Sequence, residues 1–426
     1  MTASPSGATR RLRGSLGALG DRSFRWYFAA RSVSNAGSAM APVALAFAVL
    51  HVDRSAGALA QVLGVRTLAM VVFLLAGGVI ADRFSRIAVL QVAHLLTFLT
   101  QGAAATLLIS GHATLTQLTV LEGLNGAASA FTMPAMMGIV PLVVPRERLQ
   151  QANALLSFSR NGLGILGPAA AGLLVVGVGP GWALAVDAAS YLLAVACLTR
   201  VRLPAREAAR RGAGTSMVRE LREGWSEFTA RTWLWVIVAV FGVTNAIHIG
   251  VIGVLGPLVA ATTPALGVPG WGAALSAEAL GTLVMTLVMM RVAQRRPLVE
   301  GMLGCAVVAL PMLLLGVSPA VVPLVAAFFV AGAAIEVFSV GWTTALHEHV
   351  PVDVLSRVSS YDALGSFVAM PVGTFLYGWL ATVVSVPTLL VASAVLYAAV
   401  SLAALLSASV RGLRRVGAAS AAPGTT

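Results

Sequence analysis

The chain has 426 residues, of which 58% are hydrophobic and only 10% charged, with a formal net charge of +12; a soluble domain would carry about a quarter charged residues. That balance excludes a water-soluble fold, and because several apolar runs exceed the ~20 residues a helix needs to cross ~30 Å of hydrocarbon, membrane-spanning helices and not a barrel are expected. Lysine is absent, so the positive charge is all arginine, which excludes both a glycine-rich phosphate loop ending in lysine and Schiff-base chemistry.

The polar tail at 1–23 carries Arg10, Arg11 and Arg13 with no small-residue cleavage site after a short apolar run, so the first span is expected to stay as an anchor. Twelve spans are expected. The first six run Phe24–Leu50, Ala58–Ala81, Ile87–Ile109, Leu115–Val140, Ala152–Val178 and Trp182–Leu198. The second six run Trp233–Ala260, Trp271–Met290, Leu298–Val317, Val321–Leu346, Val358–Val384 and Thr388–Val410. Arginines cluster in alternate loops and in both tails, while the opposite loops hold only Arg54. By the positive-inside rule this puts both termini in the cytoplasm of a cell (inner) membrane protein. Between the sixth and seventh spans, residues 199–232 turn to Arg, Glu, Gly and Ala, with Pro204 and a Gly212-Ala213-Gly214 break; Met217–Phe228 has helical charge spacing that suits a basic surface helix beside anionic lipid. The domains expected are therefore a tail, a bundle at 24–198, this linker, a bundle at 233–410 and a tail at 411–426. Cys197 and Cys305 lie far apart in apolar runs and read as packing residues.

The two halves repeat. A gapless shift of 206 residues puts Gly126-Ala127-Ala128 on Gly332-Ala333-Ala334 and Val144-Pro145 on Val350-Pro351. At a shift of 210, Val33-Ser34-Asn35-Ala36 falls on Val243-Thr244-Asn245-Ala246, which sets Asn35 and Asn245 at matching places as pathway candidates. Parallel six-span repeats with a binding region near the midplane describe one class of secondary transporter.

The loop after the second span carries Gly78, Ile80, Ala81, Asp82, Arg83, Arg86 and Leu90. This resembles the signature of the major facilitator superfamily, with Ser85 in place of its second glycine and Ile87 in place of its lysine. Together with the repeat, the resemblance covers about Phe24 to Val410. It implies an all-α integral membrane protein of twelve transmembrane helices in two pseudo-symmetric six-helix bundles. The turn at Asp82–Arg86 and Phe131-Thr132-Met133-Pro134-Ala135 are similar to the exporter group that contains the enterobactin and macrolide efflux proteins. In that family Gly78, Asp82, Arg83 and Arg86 would form a conformational latch toward the start of the eleventh span, near Val358 to Asp362. The second-half counterpart, Arg291 to Pro297, has no acid.

The fifth span reads Gly162-Leu163-Gly164-Ile165-Leu166-Gly167-Pro168. It matches the dinucleotide fingerprint in letters but lacks the strand and the solvent-facing helix start that a pyrophosphate needs. Its resemblance is instead to the antiporter motif, carried by Gly162, Gly164, Gly167, Pro168 and Gly172, with Leu163 and Ala171 as departures. Antiport is the favoured reading of these residues, and ordinary close helix packing is the alternative.

Charges inside apolar spans are costly, so they mark function. The candidates are Arg31, Arg66, Glu122, Arg160, Asp187, Glu278, Glu336 and Asp362, with His248 as a further titratable pathway group. Arg66 and Glu122 lie at matched depth and are expected to pair, which would make Glu122 structural; Arg31 and Arg160 are the other candidate charge partners. Glu336, then Asp362, then Glu278 are ranked as proton carriers, followed by Glu122 and Asp187, because none of the first three has an arginine at its depth and water loss favours the protonated acid. The alternative is a carboxyl that is hydrogen-bonded to a neighbouring helix and merely structural. Phe24, Trp26, Tyr27, Trp182, Trp233, Trp235 and Trp271, near span ends, suit a membrane interface. His347-Glu348-His349 reads as a pH-responsive edge; adjacent residues do not share a helix face, so no metal is expected, and no cofactor.

The reading is a non-enzymatic secondary transporter, expected to be a monomer, that exchanges protons for a hydrophobic or amphipathic small molecule, with the export direction supplied by the resemblance. A proton-coupled importer and a non-transporting membrane sensor or assembly partner are the alternatives; no nucleic acid partner is expected.

Overall fold

The computed structural model describes residues 17–137, 139–203 and 225–415, apart from the side chains of 75–83, 133–134, 137, 146, 352–357, 359–360, 363–364 and 367. All regular elements among the described residues are helical. The long ones are α1 (Arg22–Val52), α2 (Ala56–Arg83), α3 (Arg86–Ile109), α4 (Leu115–Met137), α5 (Leu149–Val178) and α6 (Pro180–Leu198). They continue with α7 (Thr232–Thr262), α8 (Gly267–Met289), α9 (Pro297–Val317) and α10 (Val321–His349). The last two are α11 (Val352–Val383) and α12 (Val386–Ala403). Ten of these are long and apolar enough to cross a bilayer within the described residues, and α4 and α11 make up the twelve expected. Helices prevail because hydrocarbon offers no partner for a free backbone N–H or C=O.

The breaks have local causes. Gly179, at φ 95°, takes a left-handed conformation that a side chain resists, and Pro180 then opens α6 where its missing N–H has no partner to lose. Helix α7 departs from the expectation of one continuous α-helix. Its α-helical ladder runs Thr232–His248, widens to a π-helix at Ile249–Leu255 and returns to α at Gly256–Thr262. Gly250 and Gly256 in this stretch lie flat against the rings of Tyr377 and Trp271, where a Cβ would collide.

The chain divides into two compact units, Met1–Ala48 with Val65–Gly212 and Val49–Gly64 with Ala213–Thr426. In the first, α3 packs along α4 and α6; in the second, α9 packs along α10 and α12. Each has an apolar core in which the sequence repeat becomes three-dimensional. Tyr27, Ile139, Val144, Ala152 and Leu198 belong to the first core, and the residues 206 places on, Trp233, Ala345, Val350, Val358 and Ala404, belong to the second. Van der Waals contact, not water exclusion, holds such cores between lipid-embedded helices.

The aromatic residues correct one expectation. Phe24, Tyr27, Trp233 and Trp271 are buried within the protein and do not line a membrane interface, whereas Trp182 and Trp235 are exposed. The reason is geometric: Tyr27 and Trp233 pack into the cores of their units, and Trp271 fits the space left by Gly256, with Phe328 edge-on at 5.6 Å.

Candidate functional site

The polar groups of the first unit gather where α2 meets α4. Gly126 of α4 lies so close to the backbone carbonyl of Arg66 that a Cβ would overlap its oxygen. That approach carries the Arg66 guanidinium to Glu122, one turn earlier on α4, and Arg66 donates to Glu122 Oε2 at 2.9 Å. The two residues expected to pair therefore do so. Glu122 is 1% exposed and Arg66 29%. Gln101 of α3 lies beside Glu122.

The same contact recurs in the second unit, where Gly332 of α10 rests on the backbone carbonyl of Glu278 of α8. Glu278 thus stands where Arg66 stands in the first unit, a correspondence that the gapless shift does not reveal because the loops before α8 differ in length. The counterpart of Glu122 is Phe328, which is buried. Where one unit has an ion pair, the other has an acid at one position and an aromatic residue at the other.

A second matched pair fixes the register of α1 against α7. The Ser38 and Tyr191 hydroxyls meet at 2.8 Å, tying α1 to α6. The residues 206 places on, Thr244 of α7 and Tyr397 of α12, likewise lie beside each other. The shift of 210 is therefore a coincidence of four letters, and Asn35 and Asn245 do not occupy matching places; both are half-buried. Asp187, one turn before Tyr191, maps to Ser393, one turn before Tyr397. Ser393 shares a 2.6 Å hydrogen bond with the Tyr377 hydroxyl. Asp187 is 1% exposed, and its Oδ1 has no hydrogen-bond partner among the described residues. Gly37 of α1 abuts both Asp187 and Ser190, which brings backbone to within contact of this carboxyl.

Two acids within the spans of the second unit have neutral donors in place of arginine. Thr286 of α8 donates to Glu336 Oε1 at 2.8 Å, and Trp342 Nε1 of α10 donates to Asp362 Oδ2 at 3.0 Å. Glu278 is half-buried. In the first unit Arg31 reaches the Met136 sulfur, and Arg160 is exposed. His248 is half-buried at the last α-helical position before the π-helix of α7.

Of the antiporter-like residues, Gly167 is pressed against Ala39 of α1, and Pro168, Ala171 and Gly172 are buried. Gly162 and Gly164 face open space, so close backbone approach does not account for them. Gly373 of α11, 206 places after Gly167, is pressed against Ala246 of α7. Gly78, Asp82 and Arg83 of the expected latch lie outside the described side chains, while Arg86 opens α3 half-buried. In the edge at 347–349, Glu348 pairs with Arg415 at 3.4 Å. No cluster of three potential metal ligands occurs among the described residues.

The second unit also contains a cavity of about 780 Å³ between α7 and α11. Trp225, Phe228 and Tyr361 form one end, Ala246 and Ala369 the waist, and Leu376 and Tyr377 the other end. The volume falls in the range of about 300–1,000 Å³ typical of small-molecule sites. Its wall is apolar apart from the tyrosine hydroxyls and the indole, so it suits a hydrophobic or amphipathic guest.

Comparison with known proteins agrees with this architecture. The family model described as transmembrane secretion effector matches residues 13–422. The crystal structure of the nucleoside transporter NupG superposes with a TM-score of 0.68 at 15% identity, covering 89% of this chain and 98% of that one. A POT family transporter in complex with 5-aminolevulinic acid gives 0.69 at 12% identity, covering 91% and 96%. A bacterial homolog of the human lysosomal transporter Spinster, in an inward-facing and unoccupied conformation, gives 0.65 at 13% identity, covering 91% and 95%. These likenesses establish the fold. No curated protein matches the chain in sequence.

Proposed function

The chain belongs to the transmembrane secretion effector family of major facilitator transporters, and from that premise we propose that it is a proton-coupled antiporter that exports a hydrophobic or amphipathic small molecule. The observation that carries this reading is the apolar cavity of about 780 Å³ in a chain that also holds carboxyl groups within its spans at 122, 187, 278, 336 and 362. The cavity offers dispersion contact and few polar anchors, which suits a drug-like, siderophore-like or secondary-metabolite guest over a sugar or a nucleotide. The carboxyls offer places where a proton can enter and leave while the guest moves the other way.

In this reading the protein works in the cell membrane with both termini cytoplasmic, which the arginine distribution supports. The halves at 24–198 and 233–410 alternate access. The resemblance to the enterobactin and macrolide exporters supports outward transport, and Asp82 with Arg83 and Arg86 acts as the latch between states.

The test is flux in proteoliposomes. A fluorescent amphipathic dye loaded on one side of the membrane is expected to cross against an imposed pH gradient and to stop when an ionophore collapses the gradient. Dye movement that ignores the gradient overturns the coupling, and counterflow in the opposite sense overturns export. No movement of any amphipathic dye in correctly folded samples overturns the transporter reading of the cavity.

A further inference from the structure

The hydrogen bonds of α6 and α12 contain an asymmetry that points to a binding position. Both helices carry a tyrosine that faces a hydroxyl on the first helix of its unit: Tyr191 bonds Ser38, and Tyr397 lies beside Thr244. One turn before each tyrosine stands a polar side chain, Asp187 in α6 and Ser393 in α12, 1% and 3% exposed. In the second unit the Tyr377 hydroxyl of α11 meets Ser393 at 2.6 Å. In the first unit the residue 206 places before Tyr377 is Ala171 of α5, which is fully buried and has no hydroxyl to give. Asp187 Oδ1 is accordingly left without a hydrogen-bond partner among the described residues.

A polar atom buried without a partner costs about 1–3 kcal/mol, and more when charged. Three further side-chain atoms of this unit share the condition: Gln101 Oε1 and His94 Nδ1 of α3, and Asn125 Nδ2 of α4. Gln101 and Asn125 are each 1% exposed and His94 2%. The His94 ring meets the Tyr191 ring edge-on at 5.1 Å.

The charged and titratable groups around Asp187 come from every neighbouring helix. Arg66 of α2 and Glu122 of α4 are the ions whose fields reach it. Tyr191 on its own helix also feels Arg66 and Glu122. Arg31 of α1 faces Tyr191 and His94, and Arg160 of α5 is exposed beside Arg31. Arg66 thus lies within electrostatic reach of two carboxyls and donates to one of them, Glu122.

We propose that Asp187 Oδ1 is the proton-binding position of the first unit, and that its protonation decides whether Arg66 is held by Glu122 or shared between Glu122 and Asp187. The step is a plain acid–base exchange. A proton from water adds to Oδ1 and forms an O–H bond, Asp187 becomes neutral and Arg66 stays with Glu122. When that O–H bond breaks and the proton returns to water, the new carboxylate draws on the same guanidinium and loosens the α2–α4 ion pair. The second unit cannot do this with Ser393, whose hydroxyl is already bonded to Tyr377. This inference deepens the proton-coupled reading above and places the coupling in Asp187, ahead of Glu336, Asp362 and Glu278, the first two of which accept hydrogen bonds from Thr286 and Trp342.

The test needs no transported substrate. The full-length protein in nanodiscs is titrated across neutral pH while the infrared carbonyl band of protonated carboxyl groups is recorded. The wild type is expected to show a band that grows as pH falls. Asp187→Asn and Asp187→Ser should lose it, while Glu336→Gln, Glu278→Gln and Asp362→Asn keep it. A band that survives Asp187→Asn, or that disappears equally in Glu336→Gln, overturns the proposal. If neither neutral variant remains monodisperse, Asp187→Glu, which keeps a carboxyl, decides: a titrating band at a shifted frequency supports the site and an unshifted one refutes it. Failure of gradient-driven dye flux would refute the antiporter reading and leave this titration intact, so the two outcomes are separable.

Discussion

Substitution of Arg66 tests whether the α2–α4 ion pair is a structural fastening. Arg66→Met leaves Glu122, 1% exposed, without its cation, and removing one partner of a buried pair costs about 3–5 kcal/mol. Arg66 is itself 29% exposed, so solvent screening already weakens the pair and the lower figure applies, about 3 kcal/mol, or roughly a hundredfold in the folding equilibrium. Glu122→Gln should cost less, about 1–2 kcal/mol, because the stranded cation can turn toward water while Gln keeps an acceptor for it. The double variant should then be more stable than Arg66→Met, with a coupling of about 1–2 kcal/mol. Equilibrium unfolding in mixed micelles, followed by tryptophan fluorescence, gives all four corners of the cycle. Strictly additive costs, or an Arg66→Met variant more stable than Glu122→Gln, would refute the argument.

The remaining expectations concern packing and the cavity. Gly126→Ala and Gly332→Ala each place a Cβ against a backbone carbonyl and should each lower stability by about 1–3 kcal/mol in the same unfolding assay. Gly162→Ala faces open space and should raise stability by about 0.5–1 kcal/mol, the helix gain of alanine over glycine. Tyr191→Phe should cost about 1 kcal/mol through loss of the bond to Ser38; unchanged thermal unfolding contradicts its role as a tie. Ala369→Trp fills the waist of the cavity and should weaken equilibrium binding of an amphipathic dye about tenfold, the effect of ~1.4 kcal/mol, with gel-filtration behaviour unchanged. Undiminished binding would show that the guest lies elsewhere.

The spans were readable because lipid permits so few backbone solutions that length and apolar content nearly decide them. The break between Leu198 and Thr232 was readable for the same reason, since polar residues cannot stay in hydrocarbon. The repeat was readable wherever small residues mark helix contacts, as at Gly126 and Gly332. It misled at Asn35 and Asn245, where four similar letters outweighed the hydroxyl pairs that set the true register. Those pairs join residues 153 positions apart in the first unit, and no local pattern announces such a bond. Glu278 could not be matched to Arg66 from sequence because their equivalence lies in the backbone each presents to a glycine. The donors to Glu336 and Asp362 were equally hidden, since threonine and tryptophan in a membrane helix look like packing. Asp187 was legible as a charge within a span but ranked low; the signal that raises it is that Tyr191 and Tyr397 share the shift of the other repeats while the residue one turn earlier is aspartate in one unit and serine in the other.

The widened ladder in α7 has a mechanical meaning. A π-helix spends more residues per turn than an α-helix, so the seven residues Ile249–Leu255 store angular slack within an otherwise regular rod. Tightening them to α geometry would turn the segment beyond, Gly256–Thr262, about the helix axis without breaking the span. Gly250 and Gly256 pack so closely on Tyr377 and Trp271 that a Cβ at either would collide, so the clearance on this span is set by two hydrogen atoms where any other residue would place a carbon.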